Sequence, residues 1–325
     1  MAKKFTKLTI GDLVVTIGGK SFRKLSTELP TLAAGLYDAN DNLVASWDTL
    51  VNTYGLDITT DNFDTNSVLE SIGYERDGNL IIGDVERIGA YAFNAYPMSR
   101  VILPNGLKSL GKNAFNAANM RSIVIPKSVE TIDEYAFYNC DYLETAVLSC
   151  LAMGSLMFYY CDNLKSVTFP EGLASISNYA FCGCRALKDV VIPDSVETIG
   201  NRAFSLCSLL GNVKLPDNVK TIGSGAFYQC TRRTEIAIPH GCVSIGDEAF
   251  YGYEKVANIT IPTTVTKIGA SAFAPSTSAT VVPTLTYQGT KAQWNAITKG
   301  SNWNAPMFGS GAISQVICTD GTITL

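Results

Sequence analysis

Charge of one sign is scarce in this 325-residue chain, where 25 Lys and Arg stand against 29 Asp and Glu for a formal net charge of −4. No basic run extends beyond Lys3-Lys4, which excludes the positive stripe that nucleic-acid binders use to neutralise phosphates. Long apolar runs are missing too: none approaches the roughly 18 residues a membrane-spanning helix needs. Histidine occurs once, as His240 after Pro239, and alone it builds neither a catalytic triad nor a metal site, so it reads as a plain loop residue. There is no Cys-x-x-Cys pair, no His-Glu-x-x-His, no Gly-rich phosphate loop and no nucleophile elbow. Nothing calls for a cofactor or a metal. The opening Met1-Ala2-Lys3-Lys4-Phe5-Thr6-Lys7-Leu8-Thr9-Ile10 is basic, but Lys7 and Gly11-Asp12 interrupt it before an apolar segment forms. It reads as no signal peptide; either export by the general route does not apply or a leader has been removed.

What is present is apolar and periodic. Apolar residues make up 46 % and charged residues 17 %, the balance of a globular chain, and the length suits two domains or one repeat array. Ala-Phe recurs at Phe93, Phe115, Phe137, Phe181, Phe204, Phe227, Phe250 and Phe273, with a Met-Phe version at Phe158. The intervals are 22, 22 and 21 residues and then five of 23. A fixed period in this range marks a solenoid.

One clean unit runs from Ile192-Pro193 through Val196, Ile199-Gly200, Ala203-Phe204 and Cys207 to Val213-Lys214-Leu215. Val213 and Leu215, two apart, predict a strand with one buried face. Pro193 and its equivalents Pro104, Pro126, Pro170, Pro216, Pro239 and Pro262 end that strand, because proline cannot donate into the ladder. Val196 and Ile199 form a second apolar pair on the return path, Gly200 allows a turn, and Ala203, Phe204 and Cys207 fit one face of a single helical turn. Such a unit cannot bury its apolar residues alone, so stacking must supply the stability.

The nine cysteines are read through the same period. Cys140, Cys161, Cys184, Cys207 and Cys230 each fall three residues after the phenylalanine, and Tyr96, Ala118, Tyr253 and Ser276 fill that slot elsewhere. A slot shared by Cys, Ala, Ser and Tyr is a packing position, and side chains pointing the same way in a stack are poorly placed for a disulfide. Buried free thiols are expected; Cys182-Gly183-Cys184 stands too isolated to bind metal.

The pattern Ile-Pro-x-x-Val-x-x-Ile-Gly-x-x-Ala-Phe-x-x-Cys-x-x-Leu-x-x-Val resembles the BspA-like leucine-rich repeats, over about residues 82–283. The resemblance implies a right-handed leucine-rich-repeat solenoid, mostly β with short helical turns. It also implies attachment to host or matrix macromolecules at a bacterial surface, and it carries no catalytic residues. Tyr287-Gln288-Gly289-Thr290-Lys291-Ala292-Gln293-Trp294 is similar to the end module that closes such arrays: Thr290 would cap a helix, Trp294 and Ile297 would cover the last coil, and Val316–Gly321 would add a strand and turn. Residues 1–81 break the period. Leu8 to Ile17 and Gly35 to Ala45 alternate like strands, with Asp38–Asn42 as a turn. The predicted organisation is a β-rich N-terminal module and cap over 1–81, nine repeats over 82–283 and a C-terminal cap over 284–325. Gly35 to Leu50 is also similar to leaders of repeat proteins of gut bacteria and their prophages. A virion or appendage component, assembling or self-associating through residues 1–81, is therefore an alternative to a surface adhesin.

The binding face is expected on the main strand. Between the inward pair lie Ile102, Val124, Val147, Thr168, Val191, Lys214, Ala237 and Thr260, flanked by Arg100, Ser122, Thr145, Ser166, Asp189, Asn212, Glu235 and Asn258. Stacking lines these into two stripes, the first aliphatic in its N-terminal half. Exposed contiguous apolar surface points to a partner protein or glycan, although β-branched residues also favour strands for their own sake. The return-side ladder of Lys108, Glu130, Ala174, Glu197, Lys220 and Ser244 reads as a solvated face. A remote enzyme reading is Asp189 with Glu235, two repeats apart, as the carboxylates of a carbohydrate-active site.

Overall fold

The computed structural model describes residues 86–95, 100–305 and 312–325, and the strand segments 9–10, 15–17, 20–23, 35–37, 43–46 and 79–81. Nine coils, one per phenylalanine from Phe93 to Phe273, stack as a parallel β-solenoid. Each coil has three sides.

The first side is the main sheet. Its strands Ser122–Ile125, Thr145–Leu148, Ser166–Thr168 and Asp189–Val190 pair in parallel, and so do Glu235–Ala237, Asn258–Ile261 and Thr284–Tyr287. Burial alternates along them: Ile123 and Ile125 are buried, Ser122 and Val124 exposed. Proline then opens a turn, its carbonyl accepting the N–H three residues on, as Pro193 does from Val196. The second side is a short return strand such as Thr198–Ile199, paired in parallel with Ser175–Ile176 and Thr221–Ile222.

The third side carries Ala-Phe, and here the structure corrects the expected helical turn. Alternate N–H groups point along the stack: Arg202, Phe204 and Leu206 donate to the carbonyls of Ser224, Ala226 and Tyr228 in the next coil. The N–H groups between them close four-residue turns, from Ala203 to Gly200, Ser205 to Arg202 and Cys207 to Phe204. That alternation requires left-handed backbone at non-glycine residues, among them Arg202 (φ 50°) and Leu206 (φ 62°). A helix would have spent every N–H inside its own coil; this backbone spends half of them between coils. Gly200 is also needed for a different reason from a turn: a Cβ there would sit 2.7 Å from the carbonyl oxygen of Ile176 in the preceding coil.

The core is a set of ladders. Consecutive phenylalanine rings from Phe93 to Phe273 stack with centroids 5.1–5.5 Å apart. All nine cysteines are buried and free. The five in the ladder do more than fill space: each thiol donates to the carbonyl of the phenylalanine one coil back from its own, at 3.0–3.2 Å, from Cys140 to Phe115 through Cys230 to Phe204.

Among the described residues the sheets are interrupted once on the return side and twice on the main side, where Arg100–Ile102 pairs with Asn79–Ile81 and not with Ser122–Ile125. The Phe158 coil is the short one; Met153 takes the isoleucine slot and no return strand forms, so that side divides into two sheets. On the main side the expected strand at Val213–Leu215 is not formed, although Val213 and Leu215 are buried. The Asn212 side-chain oxygen instead accepts the N–H groups of Thr234 (3.0 Å) and Glu235 (3.3 Å), and its amide nitrogen donates to the Thr234 hydroxyl.

At the C-terminal end the helix Lys291–Ala296 follows the N-cap Thr290 in a capping box with Gln293. Trp294 and Ile297 are buried against the last coil. Gln315–Cys318 pairs in parallel with Thr284–Tyr287, and Gly321–Thr324 turns back antiparallel on it. Toward the N-terminus, Thr9–Ile10 pairs in parallel with Arg87–Ile88, and Val15–Ile17, Lys20–Arg23, Gly35–Tyr37 and Leu43–Ser46 form an antiparallel sheet. The expected turn at 38–42 lies outside the described residues.

Candidate binding surfaces

The main-sheet register lines part of the sequence-predicted residues into two rows. Val124 pairs with Val147 and Val147 with Thr168; Ala237 pairs with Thr260. Alongside, Ser122, Thr145, Ser166 and Asp189 follow one another across the strands, as do Glu235 and Asn258. Ile102 and Val191 are exposed on the same side, Val191 by 83 % and Val124 by 57 %. Lys214 is exposed but sits in the segment without ladder hydrogen bonds, and Asn212, also exposed, has its amide engaged within the protein rather than free for a partner. Arg100 begins the strand Arg100–Ile102, and its side chain lies outside the described ones. The stripe continues past Thr260 into the cap, where Thr260 pairs with Thr286 and Thr286 with Ile317. Those two residues were missed because the repeat motif ends before them; the Thr-Leu-Thr-Tyr alternation was the available signal.

Asp189 and Glu235 are exposed, each as the first residue of its strand. Among the described residues no group of three or more His, Cys, Asp or Glu side chains is arranged to hold a metal ion. The return side carries cross-coil ion pairs, Lys108 with Glu130 at 2.6 Å and Lys220 with Glu197 at 2.8 Å. Such exposed pairs contribute little to stability.

A second surface lies on the Ala-Phe side and was not anticipated. Tyr135, Tyr138, Tyr159, Tyr160 and Tyr179 gather there from three consecutive coils. Tyr159 is the centre, with ring centroids 5.7 Å from Tyr138, 4.4 Å from Tyr160 and 6.4 Å from both Tyr135 and Tyr179. The neighbours crowd its hydroxyl enough that its pKa is pushed up to about 12, chiefly by burial and then by the hydrogen bond with Tyr160. The sequence signal was a tyrosine directly following Phe137 and Phe158, one period apart.

Parallel coils, a phenylalanine spine and an outward-facing sheet define a leucine-rich-repeat solenoid. The BspA type leucine-rich repeat region matches residues 79–188 and 151–280, and the chain belongs to that family. Among solved structures it is similar to a leucine-rich cell surface protein from Faecalibacterium prausnitzii A2-165, at 28 % identity over 68 % of this chain and 62 % of that one (TM-score 0.48). It is also similar to a leucine-rich repeat protein from Bacteroides ovatus ATCC 8483, at 24 % identity over 70 % of this chain and 66 % of that one (TM-score 0.51). The chain thus spans just under two thirds of each of these proteins' length. No curated protein sequence matches it.

Proposed function

We propose that this chain is a non-enzymatic recognition protein that binds a macromolecular partner, a protein foremost, at a cell or matrix surface through the outer face of its main sheet. Membership of a leucine-rich-repeat family supports a repeat-based protein-binding role. The observation that carries the reading is the stripe through Val124, Val147 and Thr168 to Val191 at the strand end, which leaves Val124 and Val191 in water with Val147 partly exposed between them. Val191 gains nothing for the fold from being apolar at 83 % exposure; covering it by a partner returns the transfer free energy. Serine and threonine flank the stripe, giving a polar margin of the kind seen around buried interface centres.

The test is an array of host-surface and matrix proteins probed with the purified chain and with a Val124→Asp, Val191→Asp variant. Both positions are exposed, so melting should change little while binding is lost. A ligand bound equally by both proteins would overturn the assignment of this face.

A further inference from the structure

We propose that the tyrosine pavement on the Ala-Phe side is a second binding surface, separate from the main-sheet face, and that it takes an uncharged glycan. Three observations carry this. First, the fold does not require tyrosine there. The position after the phenylalanine is Asn116 in the preceding coil and Cys182 and Ser205 in the two following ones, before tyrosine returns as the stacked pair Tyr228 and Tyr251, all within the same backbone ladder. Second, the rings are held in place. Tyr159 is locked among its neighbours, and Tyr160 lies over Gly183, where a Cβ would run into its ring; Gly183 is itself in the left-handed region (φ 81°). The Arg185 guanidinium sits 5.6 Å from the Tyr160 ring centre. A surface of fixed, half-exposed rings binds without the entropic cost of ordering them.

Third, the cations around the patch are matched within the protein. Lys112 faces Glu134 at 3.7 Å, Arg185 is paired with Asp162, and Arg202 reaches Glu248 at 3.1 Å. An anionic polymer would find no spare cation in those pairs, and the further carboxylate of Asp141, exposed beside Asp162, would repel it. What remains on offer is aromatic face, phenolic hydroxyl, and the amides of Asn116 and Asn139, both partly exposed beside the rings. Sugar rings present that complement: apolar C–H faces that lie on aromatic rings, and hydroxyl edges that exchange hydrogen bonds with phenols and amides.

The test is affinity electrophoresis of the whole chain through gels containing neutral polysaccharides (mannan, xyloglucan, mixed-linkage glucan) or acidic ones (polygalacturonate, hyaluronan). Three variants accompany it. Tyr138→Ala with Tyr160→Ala removes two rings, Tyr160→Phe keeps the ring without its hydroxyl, and Val191→Asp probes the main-sheet face. Retardation is expected in at least one neutral gel and not in the acidic gels. The double variant should bind about tenfold more weakly, and Tyr160→Phe should retain most of the affinity even if the double variant melts early. Val191→Asp should be retarded like the parent chain, which separates this proposal from the protein-binding reading. No retardation by any neutral gel, retention of full affinity by a folded double variant, or retardation by the acidic gels alone would overturn it. So would a sedimentation shift showing that the patch is covered by a second copy of the chain.

Discussion

Replacing Arg233 by leucine tests how the core is built at its most anomalous point. Three residues after each ladder cysteine the chain buries a leucine, at Leu143, Leu164, Leu187 and Leu210, and three after Tyr253 it buries Val256. After Cys230 the same slot holds Arg233, only 3 % exposed. Its guanidinium lies 4.7 Å from the Phe227 ring centre and 5.6 Å from that of Phe250, and its Nε and Nη1 have no hydrogen-bond partner among the described residues. Burial accordingly pulls its pKa down, opposed by Cys230 and Glu235. Stacking on aromatic faces returns about 2 kcal/mol, against a desolvation cost of several kcal/mol for a buried ion. A leucine would gain about 1.5–3 kcal/mol from burial instead and would match the coils on either side. Arg233→Leu should therefore stabilise the array by about 1–4 kcal/mol, or about 2–4 °C in melting temperature per kcal/mol for a unit of this size. Urea unfolding at pH 7 followed by circular dichroism measures it, with Arg233→Ala as the control that leaves a cavity. An unchanged or lower midpoint for the leucine variant would refute the reasoning, because it would mean that the guanidinium's hydrogen-bonding capacity is met.

Three further outcomes follow from the ladders. Phe204→Ala should cost about 3–5 kcal/mol, since it removes a ring stacked at 5.4 Å on Phe181 and 5.5 Å on Phe227; differential scanning calorimetry would show the loss, and an unchanged melting temperature would contradict the ring stack. Gly200→Ala should cost about 1–3 kcal/mol by overpacking, because the new methyl meets the backbone of the preceding coil and not a movable side chain; a neutral change in urea midpoint would refute the close approach. Stability should also fall at alkaline pH. Burial pushes the Cys230 thiol up to about 12 and Cys161 and Cys207 well above their ordinary value, while the unfolded thiols ionise near pH 8.5. Above that pH the unfolded state releases protons that the folded state keeps, so each such thiol costs about 2 kcal/mol by pH 10. Urea midpoints at pH 8 and pH 10 check this, and Cys207→Ala should narrow the gap between them.

The repeat was legible because every inward position recurs. Phenylalanine spacing, the proline that ends each main strand and the cysteine slot are each set by the position's place in the stack, so one unit read well gives nine. The cap was legible for a local reason: Thr290 and Gln293 satisfy each other's backbone groups within one turn. The helical turn at Ala-Phe was misread because i, i+1, i+4 spacing of buried residues suits a helix, whereas the true pattern is decided by N–H groups that leave the coil, which no single unit records. Asn212 was likewise read as an outward residue. It is one, but its amide closes a gap in the ladder, and only the neighbouring coil shows that.

The stack also gives a criterion for separating what the fold demands from what it only carries. A residue type required by stacking appears in coil after coil, as the phenylalanine does from Phe93 to Phe273. The aliphatic residues of the outer stripe do not meet that standard: Val124, Val147 and Val191, with Thr168 among them, give way to Lys214, Ala237 and Thr260 at the same position of the repeat. Tyrosine after the phenylalanine meets it no better: it stands at Tyr138 and Tyr159, gives way to Cys182 and Ser205, and returns at Tyr228 and Tyr251, while the backbone hydrogen bonds beneath continue unchanged. Strand propensity would act equally on every coil, so it accounts for neither distribution. A side chain exposed to water, held rigid and restricted to one stretch of a uniform scaffold is best explained by what meets that stretch from outside.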